Sequence, residues 1–138
     1  MTTTWLDTLH GPAVEAFEDD DAAATEGLRR LGAALAFHDR AMNGGLVGGA
    51  IETLFFADDL AHVDEAISAF HWLGMTEAAA VVDRARAEYL RFRPTGEEEI
   101  SDEDARLWDA LDDEFYAVAD DDRLERAIEA RSGEILPA

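Results

Sequence analysis

Apolar positions along this chain recur every three or four residues and show no sustained alternation, which predicts helices and no strands. Leu28, Leu31, Leu35 and Met42 fall on one face of a helix over 22–42. Leu60, Val63, Ile67, Phe70 and Leu73 make the cleanest amphipathic stripe. Ala78, Val82, Ala85 and Tyr89 form the buried stripe of the next helix, and Leu107, Leu111, Phe115 and Val118 that of another. Leu124 and Ile128 anchor the last.

Polar and breaker residues divide these stripes. Trp5 to Leu9 reads as a short helix, broken at Gly11-Pro12 before a second piece carrying Val14 and Phe17. The acidic block Glu18-Asp19-Asp20-Asp21 is expected to open the following helix, where carboxylates complement the macrodipole. Asn43-Gly44-Gly45 is a helix stop, since Asn and Gly tolerate left-handed backbone. Leu46 to Phe56 is a shorter helix weakened by Gly48-Gly49, a pair that calls for close packing of a neighbour as compensation. Asp58-Asp59 are expected to begin the next helix, Gly74 to cap its end and Thr76 to cap the start of its successor. After a loop at Pro94-Thr95-Gly96, Ser101 with Asp104, and Asp122 with Glu125, have capping-box spacing. The expected fold is all-α, an irregular bundle of about six helices in one domain over 1–138.

Composition sharpens this picture. The chain has 138 residues, 48% of them apolar, enough for a core and against disorder. It contains no cysteine, so disulfide and thiolate chemistry are absent. No apolar run approaches membrane-spanning length, and Met1-Thr2-Thr3-Thr4-Trp5 lacks a signal-peptide pattern, so the expected compartment is the cytoplasm. The net charge is −21, with 32 acids against 11 bases, every base an arginine. Such a surface argues against direct binding to nucleic acid or anionic membrane and points to a basic protein partner. The plainer interpretation is that acidity serves solubility.

The charge is not evenly spread. Residues 97–134 carry a net −12 and the longer remainder −9. On the helix expected at 101–119, Asp102, Asp109 and Asp113 point away from the apolar face, with Arg106 among them. Helical neighbours three or four apart lie about 5–6 Å from each other, the scale of phosphate spacing along a strand. The candidate partner-binding residues are Asp102, Asp109, Asp112, Asp113, Asp120, Asp121 and Asp122, with Glu97, Glu98 and Glu99 as a flexible contribution.

Catalytic chemistry finds little support. A di-metal site needs Glu-x-x-His pairs on two helices, and Asp59 with His62 is a single weak analogue. The EF-hand spacing is missing from 19–30 and 97–122. His10, His38, His62 and His71 show no acyl-transfer arrangement, although His71, between Phe70 and Trp72, is expected at a helix flank or core edge. The glycine pairs lack the lysine of a phosphate loop. No catalytic residue, metal ligand or cofactor is assigned.

An ordered set of motifs carries a resemblance. Phe37-His38-Asp39 leads into Asn43-Gly44-Gly45, a Leu-rich helix and an Ala-rich pair broken at Leu73-Gly74 follow, and Leu111-Asp112-Asp113-Glu114-Phe115-Tyr116 closes the set. Over about 22–130 this resembles the bacterial domain family typified by a DNA-mimic protein, an acidic helical protein that binds a helix-turn-helix transcription regulator in place of DNA. The chain departs from the family at Gly48, Gly49, Ala50 and Glu52, where members tend to have a Gln-aromatic-aromatic stretch and then Asn. The resemblance implies a non-catalytic module that occupies a regulator's DNA-binding face. The alternative is an accessory or immunity-type domain that binds one specific protein by shape.

Overall fold

A computed structural model describes residues 4–136, and among them every regular element is helical. The α-helices are α1 (Trp5–Glu18), α2 (Glu26–Gly44), α3 (Glu52–Asp58), α4 (Ala61–Trp72), α5 (Thr76–Phe92), α6 (Asp102–Val118), α7 (Asp121–Ala130) and α8 (Ser132–Ile135). Leu46–Ile51 between α2 and α3 is π-helical. The all-α expectation holds, with eight α-helices among the described residues where about six were expected.

Helix α2 is the hub, packed on α1, α4, α8 and the π-helical stretch, while α5 bridges α4 to α6. The predicted stripes supply the core. Leu31 and Leu35, Val63 and Phe70, and Ala78, Val82, Ala85 and Tyr89 are all buried. Phe37, Phe70 and Phe115 meet edge to face at centroid distances of 6.0–6.3 Å, which ties α2, α4 and α6 together. Burying each such side chain contributes about 1.5–3 kcal/mol. Met42, read as part of the α2 stripe, is instead 39% exposed.

Several boundaries differ from the sequence expectation, each for a local reason. Helix α1 runs unbroken through Gly11-Pro12. Its interior proline costs roughly 3 kcal/mol in helix propensity. Close docking on α2 offsets that cost: Leu9, Ala13 and Ala16 are buried, and a side chain at Gly32 would strike the Ala13 carbonyl. The first turn is fixed from afar, because Glu125 of α7 accepts the Trp5 and Leu6 N–H groups at 2.5 and 3.1 Å.

Glu18 ends α1, and Asp19 to Asp21 lie between the helices rather than opening α2, whose N-cap is Thr25. Asp58 likewise ends α3, and Asp59 and Leu60 then take left-handed backbone at φ 56° and 70° before α4 begins. Left-handed leucine costs roughly 1–2 kcal/mol. The turn is held by the burial of Leu60 and its N–H bond to the Leu54 carbonyl at 3.3 Å.

The expected compensation for Gly48-Gly49 is present. A Cβ on Gly49 would lie 2.6 Å from Gly44 Cα and 2.7 Å from the Arg40 carbonyl oxygen, so the π-helical backbone rests directly on the end of α2. The Trp108 ring lies over Gly48. Gly74 takes its capping conformation at φ 79°, but Met75 holds the N-cap position of α5 and Thr76 is its first helical residue.

Candidate functional site

The acidic third of the chain is organised by α6. Its start is set by Ser101, whose hydroxyl accepts the Asp104 N–H at 3.1 Å. The reciprocal half of the expected capping box is absent, because the Asp104 carboxylate turns to Arg91 of α5 at 2.6 Å. That guanidinium holds the Asp104 carboxyl below its ordinary range. Leu111 and Phe115 drive one face of α6 into the core, and Leu107, Trp108 and Val118 pack half-buried beside them. The helix orientation is therefore set by burial, and the opposite side must carry Asp102, Asp109 and Asp113.

All three of those residues are exposed. Among the described residues their carboxylates have no ion pair. Arg106, the one base on this side of α6, donates Nε to the Asp102 backbone carbonyl and leaves the carboxylate unpaired. At a rise of about 1.5 Å per residue, Asp109 and Asp113 stand about 6 Å apart along the helix and Asp102 about 10 Å before Asp109.

Asp112 has a different place. Its Oδ1 accepts the Val47 N–H at 3.1 Å, so it caps the π-helical stretch just after the Asn43-Gly44-Gly45 turn. A Cβ on Gly45 would come within 2.8 Å of Oδ2, which explains why glycine is required there in addition to its φ of 93°. Burial pushes the Asp112 carboxyl above the ordinary carboxylate range; the Val47 and Leu46 amides oppose this, and Asp109 and Asp113 add to it.

The chain passes from α6 into α7 through Ala119. Asp120 is the N-cap of α7, accepting the Arg123 N–H at 2.9 Å, and its carboxylate also pairs with the Arg123 guanidinium at 3.0 Å. The Asp122–Glu125 capping box is therefore not formed, and Glu125 serves α1 instead. Asp121 and Asp122 are exposed in the first turn, and Arg126 repeats the Arg106 arrangement by donating to the Asp122 carbonyl. In the 93–101 loop, Glu97 and Glu99 are exposed. Glu98 is tied to Thr95 through both its N–H at 2.9 Å and its hydroxyl at 2.5 Å, bonds that lower its carboxyl below the usual value.

Two further side chains belong to this surface. Tyr116 is 37% exposed, and its hydroxyl donates to the Ala41 carbonyl at 3.3 Å, which brings it beside exposed Met42 at the end of α2. Burial, then Asp112 and Asp113, raise its phenol above the ordinary value. The helical wheel that selects Asp109 also turns Tyr116 outward, so this residue was available to pattern reasoning.

Of the remaining polar candidates, His62 and His38 have structural partners. His62 pairs with Asp58 at 2.7 Å rather than with Asp59. His38 is buried and donates Nε2–H to the Ala119 carbonyl at 2.7 Å. His71 is exposed in the last turn of α4. Trp72 lies within 6 Å of the guanidinium groups of both Arg30 and Arg131, and Trp108 stacks on Phe92. Among the described residues no group of three or more His, Asp or Glu side chains is arranged to hold a metal ion, and no helix is long and apolar enough to cross a membrane.

No curated protein and no solved structure matches the chain. One family model, described as DMP19-like protein, matches residues 22–131. That span starts just before α2, takes in the Asn43-Gly44-Gly45 turn and its Asp112 cap, and ends with α7; on a match of that extent the chain belongs to the DMP19-like family.

Proposed function

We propose that this protein is a non-catalytic protein-binding module that acts as a DNA mimic, occupying the DNA-binding face of a basic, helix-turn-helix regulator. The observation that carries this reading is the series of exposed, unpaired carboxylates at Asp102, Asp109 and Asp113, joined by Asp121 and Asp122 at the start of α7. Family membership supports it independently. Asp112, Asp120 and Glu98 contribute charge from fixed positions, since each already caps or closes local backbone.

The mechanism is electrostatic. One carboxylate–guanidinium contact at about 4 Å is worth only about 1 kcal/mol in water. Several on one surface give steering, fast association and steep salt dependence. The test is competition on labelled DNA with a co-purifying regulator, at two salt concentrations. Displacement at low salt that weakens at high salt, and that is lost in D102N/D109N/D113N, supports mimicry. A regulator that keeps its DNA at low salt refutes it.

A second reading has its own observation. Tyr116, one turn from Asp113, and Met42, which follows the Ala41 that Tyr116 bonds, are exposed, and Phe56 is 62% exposed on α3. These favour an accessory or immunity-type module that recognises one protein by shape. Partner binding that survives high salt and the triple substitution would identify it.

A further inference from the structure

Outside α6, one cleft combines apolar walls with acidic and imidazole groups. It has a volume of about 490 Å³ and opens between the N-terminal half of α1, the middle and end of α2, and the first turn of α7. Leu6, Leu35 and Met42 make its apolar lining. Asp7, Asp39 and Asp121 bring three carboxylates to it. Among the described residues no arginine lines it, in a chain that has 11.

His38 forms part of the wall and is only 6% exposed. Because its Nε2 donates to the Ala119 carbonyl, the neutral ring presents Nδ1 as an acceptor, and Nδ1 has no hydrogen-bond partner among the described residues. His10 places Nε2 between the two Asp39 oxygens at 2.8 and 3.0 Å. Two carboxylate oxygens offer about four lone-pair sites, so Asp39 retains acceptor capacity toward the cleft. Both members of the pair are 42% exposed and can be reached.

We propose that this cleft receives an arginine side chain of the basic partner. The assignment rests on the reading of this protein as a binder of basic proteins and adds to it a specific pocket beside Met42. The apolar walls suit the three-carbon stem, which prefers to lie along apolar surface while its head stays polar. The head meets the acceptors of Asp39, Asp121, Asp7 and His38, with His10 Nε2–H already engaged on Asp39. A guanidinium has five N–H donors in a planar fork, so it engages such a spread of acceptors where an ammonium group makes a single point contact. Arginine anchors in partly desolvated pockets are typical of the residues that dominate protein interfaces.

The experiment is an NMR titration of the labelled protein with agmatine, which carries a guanidinium and an ammonium at the two ends of a four-carbon stem, with 1,4-diaminobutane as the dication that carries ammonium groups alone. Agmatine is expected to shift the His10 and His38 ring signals and the Met42 methyl in a saturable manner. D39N and D121N should each weaken it about tenfold, the effect of losing one charge-assisted hydrogen bond. Both sites are accessible, and unchanged thermal unfolding would show that the variants fold. Equal binding of 1,4-diaminobutane, or agmatine shifts confined to α6, overturns the assignment. A nonaarginine peptide separates the two levels of inference. Binding that is indifferent to D39N and D121N overturns the cleft and leaves the acidic-surface reading intact. No binding at low salt removes that reading, and the cleft with it.

Discussion

Asp112 sits on the acidic helix but faces the fold, so its substitution separates structure from recognition. Asp112→Ala removes the acceptor of the Val47 N–H, and two effects then oppose each other. Loss of a side-chain cap costs about 1 kcal/mol, within roughly 0.5–2. Against it, a half-buried charge beside Asp109 and Asp113 disappears. Asp112→Asn deletes the same charge but keeps a carbonyl that can accept the Val47 N–H. Urea unfolding at pH 7 is expected to place the asparagine variant at or above wild type and the alanine variant about 1 kcal/mol below, some 4 °C in Tm for a chain of this size. Acid supplies an independent check. A carboxyl held above its unfolded value of about 3.9 binds more protons folded than unfolded between the two pKa values. Wild type therefore gains stability relative to Asp112→Asn as pH falls through the folded pKa, and the gain is complete below the unfolded one. The reasoning fails if asparagine costs as much as alanine at pH 7, or if the difference between asparagine and wild type does not change on acidification.

Other perturbations probe the packing and the charge. Gly49→Ala drives a methyl group into the Gly44 and Arg40 backbone and should cost about 1–3 kcal/mol or more, measured by denaturant unfolding. Gly11→Ala meets nothing within 4 Å on α1 and should add about 0.5–1 kcal/mol in the same assay. Glu125→Ala uncaps α1 from a distance and should cost about 1 kcal/mol, with faster amide exchange confined at first to residues 5–9. Sodium chloride should raise Tm progressively between low and physiological ionic strength, because a net charge of −21 repels itself more in the folded state; a flat Tm would show that the ion pairs have already offset that repulsion.

The parts of the fold legible in the sequence are those where one helix buries one stripe against its neighbours. Ala78, Val82, Ala85 and Tyr89 are all fully buried, as their spacing requires. The parts that were not legible are decided by contacts distant in sequence. Pro12 looks like a break because propensity is local, whereas the contact that holds α1 together lies at Gly32. Asp120, Asp121 and Asp122 are equally good caps by residue type. The register is settled when Glu125 engages the N-terminus of α1, more than a hundred residues away, and so cannot complete a box with Asp122. Asp112 lies at the border of the α6 wheel between outward Asp109 and inward Phe115. Only the position of Val47 turns it inward. The cleft at Asp39 was invisible for the same reason, since α1, α2 and α7 contribute residues from three separate stretches of chain.

The placement of the arginines explains why the acidic surface keeps its field. Four of the eleven lie on α5 or just after it, and each is spent on an acid of a neighbouring element or of α5 itself: Arg84 on Glu114, Arg86 on Asp64, Arg91 on Asp104 and Glu88, Arg93 on Glu52. These pairs neutralise the seams of the bundle, where like charges would push helices apart. Arg106 and Arg126, next to the candidate surface, direct Nε to backbone carbonyls four residues earlier and leave the carboxylates of Asp102 and Asp122 unpaired. Neutralisation is thus strong along α5, where helices meet, whereas on the α6–α7 surface Arg123 pairs with Asp120 and, among the described residues, Asp102, Asp109, Asp113, Asp121 and Asp122 have no ion pair. Pairing at the seams stabilises any acidic bundle; what bears on recognition is that the carboxylates left unpaired gather on α6 and the start of α7. That arrangement suits a protein that presents anionic groups to a basic surface, since a carboxylate neutralised by an arginine within the chain adds little field for the partner.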